Sequence, residues 1–412
     1  MRIKSVRAIE ILDSRGNPTV KARVILENGM EGVAAIPSGI STGTHEAVEL
    51  RDNNKRFGGK GVLDAVNDVN GEIAQTIVGM EVGDQLLIDE ILVRLDGTEN
   101  KSRLGANAIL AVSCAAARAA AISDGIPLYR YLNRITGGGM KMPIPLMNIM
   151  NGGAHANWVT DIQEYMVIPV GFTSFRESLR ACAEIYAALR KILKSNNLST
   201  NVGDEGGFAP RELDNREPLK LMAEAVTQTG LVLGRDINFG IDAAATEFYR
   251  GGKYIFGREK IELSAGELAR FYERIVEEDG VVSIEDPFAE DEWENFAAIT
   301  TNLGNKVQIV GDDLYATNAY RIEKGANISA TNAVLIKPNQ IGTLSETFQA
   351  IALTKKSGQS VVISHRSGDT EDSFIADLAV AVGADEIKSG APARGERTAK
   401  YNRLLEIEEE LT

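Results

Sequence analysis

VVSIEDP, running from Val281 to Pro287, reads as a buried parallel strand. It is a short apolar run that stops where the backbone emerges into a loop. Glu285 therefore stands at the C-terminal mouth of a strand, where α/β sheets and barrels place their chemistry. The same grammar recurs on both sides. INFGID reaches Asp242, VQIVGDD reaches Asp312 and Asp313, AVLIKP reaches Lys337, and VVISH reaches His365. Successive ends lie roughly 25 to 43 residues apart, about what a strand, a crossover helix and two short loops consume. Five consecutive strands thus bring Asp, Glu, Asp, Lys and His to one rim.

A chain of 412 residues is long for one compact core, so two domains are expected. Hydrophobic content of 44% with 25% charged residues fits an ordinary soluble globular protein rather than a disordered one. The net charge of −14, with no basic block to offset it, argues against a nucleic-acid partner. For an anionic substrate the same charge points to bound cations. Cys114 and Cys182 lie in helix-like segments and read as buried, unpaired thiols of a reducing compartment. The opening MRIKSVRAIEILDSRG has no apolar core or cleavage signal, so a cytoplasmic location is expected. Ala106 to Ile122 is alanine-rich and broken by Asn107, Ser113 and Arg118, which reads as a packed helix of a soluble protein rather than a bilayer span.

Residues 3 to 35 alternate in strand fashion, with an Asn28-Gly29 turn, and predict an antiparallel meander. Helical periodicity follows over Leu63–Val78, Gln85–Leu95 and Ala106–Asp124. Strands and then helices make an α+β N-terminal domain, 1–136. After the flexible Thr136-Gly-Gly-Gly139 run, strands and helices alternate to the end and predict a β/α barrel over 137–412, closed by a helix from Arg397 to Glu410.

Asp242, Glu285 and Asp312 in register need a counter-ion. Two carboxylates about 4 Å apart repel by roughly 4 kcal/mol at an effective dielectric of 20. Oxygen-only ligands select a hard ion, Mg²⁺ before Zn²⁺. For any one of these acids alone, capping the next helix is the commoner role. Lys337 ends an apolar strand; snorkelling is the plain reading, but burial beside cations would lower its pKa and make it a general base. Arg366, Ser367 and Lys388, at later strand ends beside His365, suit a phosphate and a carboxylate, with ordinary salt bridges as the alternative. Gln163 and Glu164 open a strand, Asp204 and Glu205 lie between glycines, and His45 and His155 sit in polar loops.

Taken in order, SRGNPT, PSGISTGTHEAVELRD, NKSRLGANAILAVS, NGGAH, QEYM, VGDEGGFAP, SIEDP, GDDL, IKPNQIGT, SHRSGDTEDSFIADLAV and KSGAPARGER resemble the enolases over nearly the whole chain. KPNQIGT, with Pro338 after the lysine, resembles archaeal members. The resemblance implies reversible dehydration of 2-phosphoglycerate to phosphoenolpyruvate in a barrel whose early strands break the regular alternation. It implies two Mg²⁺ ions, the first held by Asp242, Glu285 and Asp312, the second arriving with substrate at Ser41. By the same matching Lys337 is the base and Glu205 the acid, its pKa raised by neighbouring Glu164. Arg366 and Ser367 take the phosphate, Lys388 the carboxylate, Gln163 supports the site, and His155 closes over the substrate. A homodimer is expected, with an octamer as the alternative, and no nucleic-acid or membrane partner. Ala156-Asn157-Trp158 departs from the smaller, more polar run of many relatives and questions how that loop closes. A racemase or sugar-acid dehydratase of the same superfamily would carry a Lys-x-Lys pair where this chain has Gln163-Glu164. A binding or structural protein on the same scaffold would have lost a rim residue. Thr412 stands where some relatives carry a plasminogen-binding lysine.

Overall fold

The structure is a computed structural model that describes residues 1–39, 43–211 and 213–412. The N-terminal meander forms as expected. Strands β1 (Ile3–Leu12), β2 (Pro18–Leu26) and β3 (Glu31–Ala35) pair antiparallel in that order. Asn28 makes the second turn by accepting the Met30 N–H at 3.0 Å, with Gly29 at φ +86°. The alanine-rich helix Ala106–Ser123 lies across β2 and β3, and small residues on both sides let the backbones approach. At Gly32 a Cβ would stand 2.2 Å from the Ala115 carbonyl oxygen and the Ala119 nitrogen, so only glycine fits. This helix is apolar and long enough to cross a membrane by length and composition, yet 83% of it is buried as core. The span predicted as one helix from Leu63 to Val78 contains a π-helical turn at Val69–Ile73 between α-helical ends.

A closed eight-stranded barrel follows. Its strands are β4 (Ile144–Asn151), β5 (Glu164–Pro169), β6 (Ile237–Asp242), β10 (Val281–Glu285), β11 (Gln308–Gly311), β12 (Ala333–Ile336), β13 (Ser360–Ser364) and β14 (Glu386–Lys388). Between β6 and β10 a small antiparallel sheet of β7 (Tyr249–Arg250), β8 (Lys253–Phe256) and β9 (Ile261–Leu263) projects from the barrel. The early alternation is broken. β5 runs antiparallel to both β4 and β6, and the helices Phe175–Ser195 and Glu217–Gln228 both fall between β5 and β6. All other neighbours in the barrel pair parallel.

The meander docks against the barrel mouth. Ser38 and Gly368 exchange backbone hydrogen bonds at 2.7 and 3.0 Å. Arg118 grips Asp372 with both terminal nitrogens, at 2.5 and 2.7 Å, and both side chains are largely buried. Cys114 and Cys182 are buried free thiols.

Candidate active site

Strand direction explains which residues meet. Asp242, Glu285 and Lys388 are the last residues of β6, β10 and β14; Asp312, Lys337 and His365 lie one residue beyond β11, β12 and β13. Glu164 is the first residue of β5. Because β5 runs against its neighbours, its start lies at the rim where they end, paired with Asp242 on one side and Asn151 on the other. These rim residues, Glu285 excepted, line an open cleft. Gln163, Glu205, Arg366, Ser367 and His155 also line it.

Charge in the cleft is arranged around two lysines. The Lys388 ammonium lies 2.7 Å from Glu285 Oε2, 3.0 Å from Asp242 Oδ2 and 3.1 Å from Glu164 Oε2, all buried. Burial works against its charge, but Asp242, Glu164 and Glu285 outweigh that and hold it well above the ordinary lysine range. Lys337 donates to Asp312 Oδ2. The expected lowering of the Lys337 pKa is therefore reversed. Burial pushes it down, but Asp312 overcomes that and raises it.

Asp312 also accepts from Gln340 Nε2 at 2.9 Å. Asp286, the second acid of SIEDP, has a left-handed backbone (φ +40°), and its oxygens accept the Asp312 and Asp313 amides at 2.9 and 2.8 Å. It shapes the turn that presents Asp312. Among the described residues, carboxylate oxygens of Asp286, Asp312 and Asp313 approach within 4.8 Å of one another; Asp242 and Glu285 are instead bridged by Lys388. Glu285 Oε1 is buried without a partner.

A second acid group faces this one. Glu205 comes from the Gly203–Gly207 turn, where a Cβ on Gly207 would sit 2.7 Å from Asn151 Oδ1. Its Oε2 accepts from Asn148 at 3.0 Å, and its Oε1 is 3.5 Å from both His155 Nδ1 and His365 Nε2. Ligand atoms of His155, Glu164 and Glu205 lie within 4.8 Å of one another. Two buried carboxylates this close share one proton. The sequence predicts that Glu164 raises Glu205. The structure reverses the order: burial and Glu205 push Glu164 well up, whereas Glu205, despite its burial, is held well down by the imidazoles and Arg397. Burial lowers both imidazoles, His365 to about 4, so their hold on Glu205 weakens as they lose charge, and Arg397 is the cation that persists near neutrality.

Arg366 is buried and forks onto Glu46, Nη1 to Oε2 at 2.7 Å and Nη2 to Oε1 at 3.1 Å, with Asn339 Oδ1 at 3.2 Å from Nη1. His155 is buried on the Gly153–Ala156 turn, while Trp158 follows at φ +57°, is 38% exposed and does not line the cleft. His45 is outside the cleft, 3.1 Å from Asp291. Ser41 lies outside the described residues. Sequence reasoning missed Glu46, Asn148, Asp286 and Arg397. Only Arg397 carried a signal: it is a basic residue in the first turn of the helix Gly395–Leu411, where the helix dipole disfavours one.

Residues 3–132 match the family model "Enolase, N-terminal domain", and residues 139–412 match "Enolase, C-terminal TIM barrel domain". An enolase of Rubrobacter xylanophilus is 55% identical over 410 residues, covering 99% of this chain and 95% of that protein. The archaeal likeness read from KPNQIGT has no support in these matches.

Proposed function

The chain belongs to the enolase family, magnesium-using hydro-lyases that interconvert 2-phosphoglycerate and phosphoenolpyruvate, and we propose how its rim carries out that reaction. The observation that carries the reading is one cleft holding Lys337, Lys388 and the Glu164–Glu205 pair.

Lys337 takes the proton from C2. With Asp312 and Glu285, the two acids that raise it, engaged elsewhere, burial and the positive charges of Arg366 and Lys388 remain, and all three lower its pKa toward a working base. Lys388 faces the substrate carboxylate, on which negative charge builds as C2 loses its proton. The proton shared by Glu164 and Glu205 goes to the departing hydroxide, with Glu205 as the acid and Glu164 as its reservoir. Arg366 and Ser367 receive the phosphate, beside His365. Gln163, just before β5, supports the site, and His155 covers the substrate.

Asp242, Glu285 and Asp312 are the residues that would hold magnesium. The donors are all oxygen, and the partnerless, buried Glu285 Oε1 fits a hard cation. Two ions, the second arriving with substrate at Ser41, would supply Lewis-acid stabilisation of the charge on the carboxylate. The reading divides the chain into an α+β unit over 1–136 and a catalytic barrel over 137–412, places it in the cytoplasm, and takes it to be a homodimer, with an octamer as the alternative.

Phosphoenolpyruvate absorbance tests the proposal. 2-Phosphoglycerate is expected to be turned over with Mg²⁺, to stop with EDTA, and to resume when the metal is restored. No turnover with Mg²⁺ present, or equal turnover of sugar acids, would refute it.

A further inference from the structure

Arg397 has no exposed surface, yet it is a charged side chain at the start of the last helix. Its guanidinium is spent on acceptors from three separate loops. Nη1 reaches His365 Nδ1 and the Arg366 carbonyl, both at 2.6 Å. Nη2 reaches the Ser367 carbonyl at 2.6 Å, the Asp204 carbonyl at 3.2 Å and Ser14 Oγ at 3.4 Å. Asp369 Oδ2 lies 3.7 Å away. The space for this side chain is left by Gly390, where a Cβ would stand 2.9 Å from Arg397 Cδ, 3.2 Å from His365 Cε1 and 2.7 Å from the Glu205 carbonyl oxygen.

The His365 contact has a chemical consequence. A guanidinium has donors only and does not deprotonate in proteins. Nδ1 of His365 must then be a bare acceptor, so the ring proton is on Nε2, the nitrogen that faces Glu205 Oε1 at 3.5 Å. The doubly protonated ring is excluded by the same contact.

We propose that Arg397 is a positioning residue for the dehydration: one guanidinium fixes His365 as the Nε2–H tautomer facing Glu205 and clamps the carbonyls of Arg366 and Ser367. The proposal rests on the roles given above to Glu205 and Arg366. It joins the placement of the acid and of the phosphate grip, since one side chain sets both. Lysine is no substitute, because a point donor does not reproduce the planar fork that spans the ring nitrogen and two carbonyls.

The chain has three histidines, so ¹⁵N-histidine labelling of the full-length protein gives a readable spectrum, with His365 assigned by difference from His365→Asn. Two-bond ¹H–¹⁵N correlation at pH 7 is expected to show His365 wholly as the Nε2–H tautomer. An Nδ1–H ring or an imidazolium would overturn the proposal, and this readout needs no Arg397 variant to fold. Arg397→Lys is expected to mix the tautomers and to lower kcat on the order of 10²-fold, the cost of a small misplacement of reacting groups, with a smaller rise in KM for 2-phosphoglycerate. A lysine variant with the parental tautomer, kcat and KM would also overturn it. A Glu205→Gln variant that still dehydrates would remove the acid assignment and leave the tautomer result standing, so the two failures are distinguishable.

Discussion

Replacing Lys388 by methionine keeps the length of the side chain and removes the charge that three buried carboxylates share. The ammonium lies 2.7, 3.0 and 3.1 Å from Glu285, Asp242 and Glu164. At an effective dielectric of 20, one such contact is worth roughly 5 kcal/mol of Coulomb energy before the desolvation of the lysine is subtracted. Breaking a buried pair by removing one partner typically costs about 3–5 kcal/mol, because the remaining charge is left uncompensated. We expect Lys388→Met to lose about that much at pH 8 in EDTA, read from guanidinium chloride denaturation. The orphaned acids respond by taking up protons, so they titrate higher when folded than when unfolded. The folded state then binds more protons, and the deficit shrinks as the pH is lowered. Mg²⁺ is also expected to narrow it, because Lys388 competes with a cation for these oxygens; a variant that binds Mg²⁺ tenfold more tightly than the parent recovers about 1.4 kcal/mol. A variant as stable as the parent at pH 8 in EDTA would show that Lys388 does not compensate these acids.

Two further perturbations test other parts of the structure. Glu386, at the start of β14, is pushed up to about 7 by burial, with help from Asp385. Folding then favours its protonated form, and the stability it contributes is lost as pH rises from the ordinary carboxyl range through 7. Glu386→Gln should be neutral near pH 4.5 and stabilising by about 2 kcal/mol at pH 8, allowing for partial exposure; equal effects at the two pH values would contradict this. Gly32→Val forces a side chain into backbone atoms 2.2 Å away. It should cost about 1–3 kcal/mol or prevent folding, and an unchanged thermal midpoint would refute the close approach of strand and helix.

Much of this architecture was legible because it depends on local patterns. Apolar runs ending in Asp242, Glu285, Lys337 and His365 gave the barrel strands and their mouth, and the alternation over residues 3 to 35 gave the meander. What stayed hidden depends on pairs far apart in the chain. Nothing near Glu46 announces its fork with Arg366, 320 residues away. Nothing in SIEDP tells that the oxygens of Asp286 are used up on the backbone of the next loop. The protonation directions are hidden for the same reason. Lys337 was expected to be lowered by neighbouring cations, but it meets Asp312 directly. Glu205 answers not to Glu164 alone but to Asn148, the two imidazoles and Arg397, all brought in from other parts of the chain.

The central claim is that Lys337 removes hydrogen from C2 of the substrate. Proton NMR of 2-phosphoglycerate in D₂O, with Lys337→Ala beside the parent, tests it most directly. The parent is expected to exchange the C2 hydrogen with solvent, and the variant to exchange none while still binding Mg²⁺ by calorimetry. Exchange at the parental rate in Lys337→Ala would contradict the account.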